Sequence, residues 1–305
     1  MPDITLLGTG GMLPLKNRFL TSLYYEHNGK ALLIDCGEGT QVAFAQHGLK
    51  LSKIEAIFFT HLHADHVTGL PGLLLSLGNT GRSECLPLYC GVSAVTIIKH
   101  LLCVTGGLPF DVQIIPINEK KPQSYTFPDI DPLLTVRTLP LDHRVPCLGY
   151  QIELGKKPEF QPDQAKALNI PVQFYKTLHA GEDVWLPDGR FIKSAQVTGE
   201  PRKPLRVTYT TDTLPIPQIA VFAEDSDLFI CEGMWGSDDK KESMNEKHHM
   251  LMQDACRLAV QAQAKRLWLT HYSPAEKEPE VYGEMLRAIY PDVTISKDGE
   301  HITLR

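Results

Sequence analysis

The chain has 305 residues, 43% of them hydrophobic and 22% charged, which excludes a disordered tail and a small disulfide-stapled scaffold and leaves material for one large core. Its 30 basic and 36 acidic residues give a formal net charge of −6. A surface coated in positive charge is therefore excluded, but a local basic patch that meets phosphates is not. The opening MPDITLLGTGG places Asp3 before its apolar run and lacks a basic stretch, so it is not read as a secretory signal. No apolar run approaches the roughly 20 residues that span a bilayer, so no membrane partner is expected. The seven cysteines, at 36, 85, 90, 103, 147, 231 and 256, form no CxxC pair. They read as the reduced thiols of a cytoplasmic protein.

Strand and helix signals alternate along the chain. Ile4–Leu7, Ser22–Tyr25 and Ala31–Ile34 are predicted strands, and Glu38–His47 a helix. Ile54–Phe59 (IEAIFF) is a short apolar run that suits a buried strand, followed by a helix over Gly69–Leu77. Pro87–Cys90 predicts a strand, Ala94–Leu102 a helix, and Val112–Ile117, Leu133–Leu139 and Leu148–Leu154 three further strands. From 155 to 205 the texture turns polar, with six prolines and a hairpin-like WLPDGRF turn. Eight lysines and arginines there face six acidic residues, a slightly basic stretch in an acidic chain. It is read as an arm inserted in a single domain that covers 1–305. Beyond it, Arg206–Tyr209, Asp227–Cys231 and Arg266–Leu269 predict strands, with helices over about 248–264 and Glu280–Ile289 and a terminal hairpin turned at KDGE. Alternation without one dominant β-α-β rhythm points to two mixed sheets flanked by helices, an α/β (α+β) class.

The strongest chemical signal is Thr60-His61-Leu62-His63-Ala64-Asp65-His66, directly after the IEAIFF strand. Three imidazoles and a carboxylate within six residues suit zinc, with manganese or iron less favoured. A surface loop that merely happens to be His-rich is the bland alternative. Three more candidate ligands follow predicted strands or precede one: His143, Asp212 and His271. Each alone reads more readily as a capping or surface residue. Together they complete a two-metal site, with His61, His63 and His143 on one ion, Asp65, His66 and His271 on the other, and Asp212 bridging. Two such metals would generate a bridging hydroxide at neutral pH and offset charge on an attacked phosphate.

The HxHxDH run with the spaced His, Asp and His resembles the metallo-β-lactamase superfamily. Gly8-Thr9-Gly10, Asp35-Cys36-Gly37-Glu38-Gly39-Thr40-Gln41 and His143-Arg144-Val145-Pro146-Cys147-Leu148-Gly149-Tyr150 narrow the resemblance to the ribonuclease Z family, over nearly the whole chain. The resemblance implies an αββα four-layer sandwich, two Zn2+ per subunit and a homodimer. It implies an endoribonuclease that removes the 3′ trailer of precursor tRNA. It makes Asp65 both a metal ligand and the acceptor of a proton from the attacking water. Glu232 and His249 match the family's paired acid and base, which hand a proton to the leaving oxygen. On chemistry alone Glu232 reads as a buried ion-pair partner and His249 as a residue opening a helix. Lys16 and Arg18, in Pro14-Leu15-Lys16-Asn17-Arg18, match a loop that meets the RNA acceptor end, and the arm lies where the family inserts its tRNA-binding exosite. The chain departs from the family pattern at Ile170-Pro171, Thr211, Met250-Leu251 and Ala275. An alternative reading is a hydrolase of the same fold that acts on other or small phosphodiesters.

Overall fold

The computed structural model describes residues 1–305. In chain order the strands are β1 (Asp3–Gly8), β2 (Ser22–His27), β3 (Lys30–Ile34), β4 (Ile54–Phe58), β5 (Leu86–Gly91), β6 (Val112–Ile117), β7 (Ser124–Thr126), β8 (Leu134–Leu141), β9 (Cys147–Lys156), β10 (Val184–Trp185), β11 (Phe191–Ile192), β12 (Arg202–Thr210), β13 (Leu228–Glu232), β14 (Leu267–Thr270), β15 (Val293–Ile295) and β16 (His301–Thr303). The helices are α1 (Thr40–Gln46), α2 (Ala64–Val67), α3 (Leu70–Asn79), α4 (Val95–Leu102), α5 (Pro162–Ala167), α6 (Tyr175–His179), α7 (Pro217–Phe222), α8 (Lys241–Lys247), α9 (Met252–Gln261) and α10 (Gly283–Ile289). No helix is long and apolar enough to cross a membrane.

Two compact units form, one from residues 1–152 with 206–305 and the other from 153–205. The larger unit is built on two seven-stranded sheets, ordered β16-β1-β2-β3-β4-β5-β6 and β15-β14-β13-β12-β9-β8-β7. β3 to β6 run parallel in the first sheet, and β12 to β15 run parallel in the second. Parallel strands need crossovers, and these put the helices on the outer faces. Leu70, Leu73, Leu74 and Leu77 of α3 pack on Ile57 and Leu88 beneath them. Met252, Ala255, Cys256 and Ala259 of α9 cover Phe229, Cys231 and Leu269 of the second sheet. Between the sheets, Phe58 of β4 meets Tyr150 of β9 edge to face at 5.3 Å, and the Tyr150 hydroxyl donates to the Phe59 carbonyl at 2.6 Å. The layers are thus helix, sheet, sheet, helix: the two mixed sheets flanked by helices that the patterning predicts, in the αββα order that the resemblance implies.

The smaller unit has its own core of Ala165, Ile170, Leu178, Val184, Ile192 and Val197. Its hairpin pairs β10 with β11 antiparallel and turns at the PDGR sequence, where Gly189 takes φ +87°. A side chain there would strain the turn, which is the reason for glycine.

Two expectations fail in detail. The C-terminal strands do not form a hairpin at KDGE. β15 joins β14 in parallel, while β16 crosses to the other sheet and pairs antiparallel with β1. The KDGE turn thus ties both sheets together, with Asp298 accepting from the backbone N–H groups of Thr9 and Phe19. The helix expected over about 248–264 is also broken. α8 ends at Lys247, His248 takes a left-handed φ of +56°, and α9 starts only at Met252. His249 therefore lies in the junction between two helices and does not open one.

Candidate metal centre

The site assembles at the carboxyl ends of the parallel strands. His61 and His63 lie between β4 and α2, and Asp65 and His66 lie inside the short α2. His143 lies between β8 and β9, Asp212 follows β12, Glu232 ends β13, and His271 follows β14. All seven predicted ligands converge. Their donor atoms form two interlocking groups, His61, His63, His143 and Asp212 in one and Asp65, His66 and His271 in the other. Asp212 faces both. Its Oδ1 is 3.2 Å from His66 Nε2 and 3.2 Å from His271 Nε2, and its Oδ2 is 3.6 Å from His61 Nε2 and 3.8 Å from His143 Nε2.

Ring nitrogens point at one another: His61 Nε2 to His63 Nδ1 at 3.0 Å, His143 Nε2 to His63 Nδ1 at 3.1 Å, His66 Nε2 to His271 Nε2 at 3.2 Å. Burial and the neighbouring His66 hold His61 well below the usual imidazole range. Burial likewise lowers His63, and takes His143 to about 4 despite the attraction of Asp212. Neutral imidazoles with converging lone pairs are the form that binds a metal. Burial opposes ionisation of Asp65 and Asp212, yet the surrounding histidines hold both carboxyls below the ordinary carboxylate range. The donor set of imidazoles and carboxylates fits a metal cation.

Outer contacts set the ring orientations. His143 Nδ1 lies 3.0 Å from the His248 carbonyl, so this bend in the α8–α9 junction orients a candidate ligand. His66 Nδ1 is 2.8 Å from Asp35 Oδ2, and Asp35 also accepts from the Thr60 backbone N–H and hydroxyl, each at 2.8 Å. Asp35 lies within the Asp35-Cys36-Gly37-Glu38-Gly39-Thr40-Gln41 motif, whose residues alone assign it no role. The backbone marks it out. Asp35, Asp212 and His271 each follow a strand and each take positive φ, 61°, 47° and 59°. Non-glycine residues in that region carry of order 1–3 kcal/mol of strain, so a shared strain at three strand ends points to one site. Close approach matters too: a Cβ at Gly11 would lie 2.7 Å from the His271 ring.

Asp35→Asn is expected to weaken metal binding by roughly 10- to 100-fold, the usual cost of losing a carboxylate behind a metal-bound histidine. Competition with a fluorescent chelator measures it. Unchanged affinity would leave Asp35 a purely structural group.

Beside the cluster, His249 Nδ1 lies 2.9 Å from Glu232 Oε2, and the Thr213 backbone N–H donates to Glu232 Oε1 at 2.6 Å. Glu232 is fully buried. Burial alone would lower His249, but Glu232 and then Asp212 attract its charge and push its pKa up to about 9. His248 is instead half-buried and paired with Asp142 at 2.8 Å. Of the two adjacent histidines, His249 is the one that contacts Glu232.

Lys16 and Arg18 are placed differently from each other. The Arg18 guanidinium donates to the carbonyls of Ser273, Glu276 and Lys277 and lies over Tyr272 at 5.2 Å. It clamps the loop after His271. Lys16 is exposed and lines a 510 Å³ hollow with Lys277 and Lys297. The cluster opens instead onto a 550 Å³ cavity.

The chain is 39% identical over 303 residues to "Ribonuclease Z" of Clostridium acetobutylicum, covering 98% of this chain and 96% of the relative. It superposes on human tRNase Z, short form, with a TM-score of 0.70, 22% identity and 99% of both chains covered. It superposes on the metallo-beta-lactamase fold protein YhfI of Bacillus subtilis with a TM-score of 0.69, 19% identity and 99% and 98% covered. The family described as Anti-Pycsar protein Apyc1 matches residues 2–104.

Proposed function

Because the chain belongs to the ribonuclease Z family, we propose that it is a metal-dependent endoribonuclease that removes the 3′ trailer of precursor tRNA. One observation supports this most: a buried acid–base pair, Glu232 with His249, stands at the edge of a cluster built to hold metal, with His249 Nδ1 4.0 Å from Asp212 Oδ2. A storage or binding site has no use for such a pair.

His61, His63 and His143 would hold one cation and Asp65, His66 and His271 a second, with Asp212 shared. The mixed imidazole and carboxylate set favours zinc, with manganese or iron second. When bound, the cations supply Lewis acidity that offsets charge on the phosphate and makes water acidic. Asp65, held ionised, accepts a proton from the attacking water, and the Met12 backbone N–H fixes its Oδ2 at 2.6 Å. His249, held charged by Glu232, donates a proton to the leaving 3′ oxygen. Glu232 is the positioning residue of that pair. His271 keeps its second ring nitrogen without a partner, which leaves its orientation to Gly11 and the strained strand end.

The smaller unit, 153–205, would serve as the tRNA-gripping arm, since its lysines and arginines outnumber its acidic residues. The homodimer and the cytoplasmic location are part of the same family-based reading, and light scattering of the purified protein tests the first. Incubation of metal-loaded protein with a precursor tRNA and with a chromogenic small phosphodiester tests the activity. Cleavage just after the discriminator base is expected. Activity confined to the small ester would replace this reading with a small-phosphodiester hydrolase.

A further inference from the structure

The 550 Å³ cavity has two unlike walls. One is the cluster with His249. The other is an apolar stretch of Met12, Met234, Trp235, Pro274 and Ala275, with Ser273 and the cationic Arg144 and Lys247 completing the lining. A phosphate needs no apolar wall, so this second surface calls for a different part of the substrate. Small residues at 274 and 275 leave the space open, and the only large flat group in the wall is the indole of Trp235.

That indole is held in place from several sides. Trp235 packs against a small buried cluster of Met234, Met244 and Leu251. Its carbonyl accepts from the Met252 N–H at 2.9 Å, where α9 begins. Lys240 Nζ lies 5.6 Å from the ring centroid. Gly236 follows it because a Cβ there would lie 2.1 Å from the Tyr282 ring. Trp235 also stands three residues after Glu232, and its backbone bridges Leu251, two residues after His249. The ring and the proton-donating pair therefore sit on one rigid piece of backbone.

We propose that Trp235 is the stacking platform for the base of the nucleotide whose 3′ oxygen leaves, with Met12 and Met234 covering the base edges. The inference rests on the ribonuclease reading and deepens it. A rigid aromatic face takes any base, and purines best, so the subsite would demand an unpaired nucleotide at the cut without reading its identity. It would also place that nucleotide's 3′ oxygen beside His249. The chemistry recognised is a flat heteroaromatic ring on a single strand. A paired end would have to fray before cleavage.

Two measurements test it on the metal-loaded protein. The first compares Trp235→Ala and Trp235→Phe on a precursor tRNA and on the same RNA with an abasic nucleotide 5′ of the cut. Trp235→Ala is expected to lose between about 5- and 150-fold in kcat/KM on the normal RNA, the range carried by base–aromatic stacking. It should lose little more on the abasic RNA, which wild type itself cuts correspondingly slowly, and Trp235→Phe should keep most activity. Equal losses on both RNAs would overturn the subsite and leave the ribonuclease reading intact. The second measurement is tryptophan quenching by a short single-stranded RNA in a Trp185→Phe background, where only Trp235 and the buried Trp268 remain. Quenching that vanishes with Trp235→Phe supports the platform even if no precursor tRNA is cut, in which case the ribonuclease reading alone falls. Quenching that persists in that variant removes the platform.

Discussion

Replacing Asp65 by alanine is expected to abolish cleavage, by about 10³-fold or more, while RNA binding is largely kept. Two losses add at one residue. The carboxylate is a donor of one cation group, alongside His66 and His271. It is also the group placed to take a proton, a role that by itself carries roughly 10²- to 10⁴-fold. Its removal further takes the acceptor from the Met12 N–H, which water can replace at this exposed residue. RNA affinity should survive, because Asp65 is itself an anion and contributes no attraction to phosphate. The measurement pairs single-turnover cleavage with a binding titration by fluorescence anisotropy and a metal count. Asp65→Asn separates the roles, since an amide oxygen keeps a weak ligand but takes no proton at neutral pH. Cleavage of precursor tRNA by Asp65→Ala at near wild-type rate would end the proton-acceptor assignment.

Much of this was legible in the sequence, and the legible parts share a cause. The IEAIFF run and the apolar periodicity of the C-terminal helix report burial, and burial is a local pattern once the sheet is parallel or the helix amphipathic. The ligands His61 to His66 are adjacent in sequence, so their convergence needs only one loop. Asp212 and His271 lie far apart and are drawn together by the shared direction of β12 and β14, while His143 reaches them from the turn between β8 and β9, none of which spacing alone fixes. Asp35 was missed because its evidence is conformational: a left-handed φ and three hydrogen bonds that no composition rule shows. Arg18 reads as a phosphate contact only through the match of Pro14-Leu15-Lys16-Asn17-Arg18 to a loop that meets the RNA acceptor end. Only the three carbonyls around it reveal a clamp. The crossing of β16 to the other sheet was hidden for a similar reason, since KDGE is a good turn whichever sheet the chain enters next.

Glu232→Gln tests the other half of the chemistry. The amide preserves shape and a hydrogen bond to His249, so the fold and the metal content should hold. What it removes is the negative charge that offsets the cost of burying a charged imidazole. His249 lies at about 9 with Glu232 as the leading attraction, so at neutral pH it is protonated and able to donate. A donor is competent only below its pKa, so the rate should fall as pH rises through the alkaline limb. Cations held by the cluster would repel the imidazolium and would bring that limb toward acid in the loaded protein. Glu232→Gln should move it further toward acid and cut turnover by about 10²- to 10⁴-fold near pH 8, with partial recovery as the pH is lowered. A substrate whose leaving group needs no proton, such as a nitrophenyl ester, should lose much less. The pH–rate profile of kcat on both substrates checks this. Equal losses on the two substrates with an unmoved limb would show that Glu232 only braces the Thr213 turn, with which it shares a 2.6 Å hydrogen bond, and that the proton comes from elsewhere.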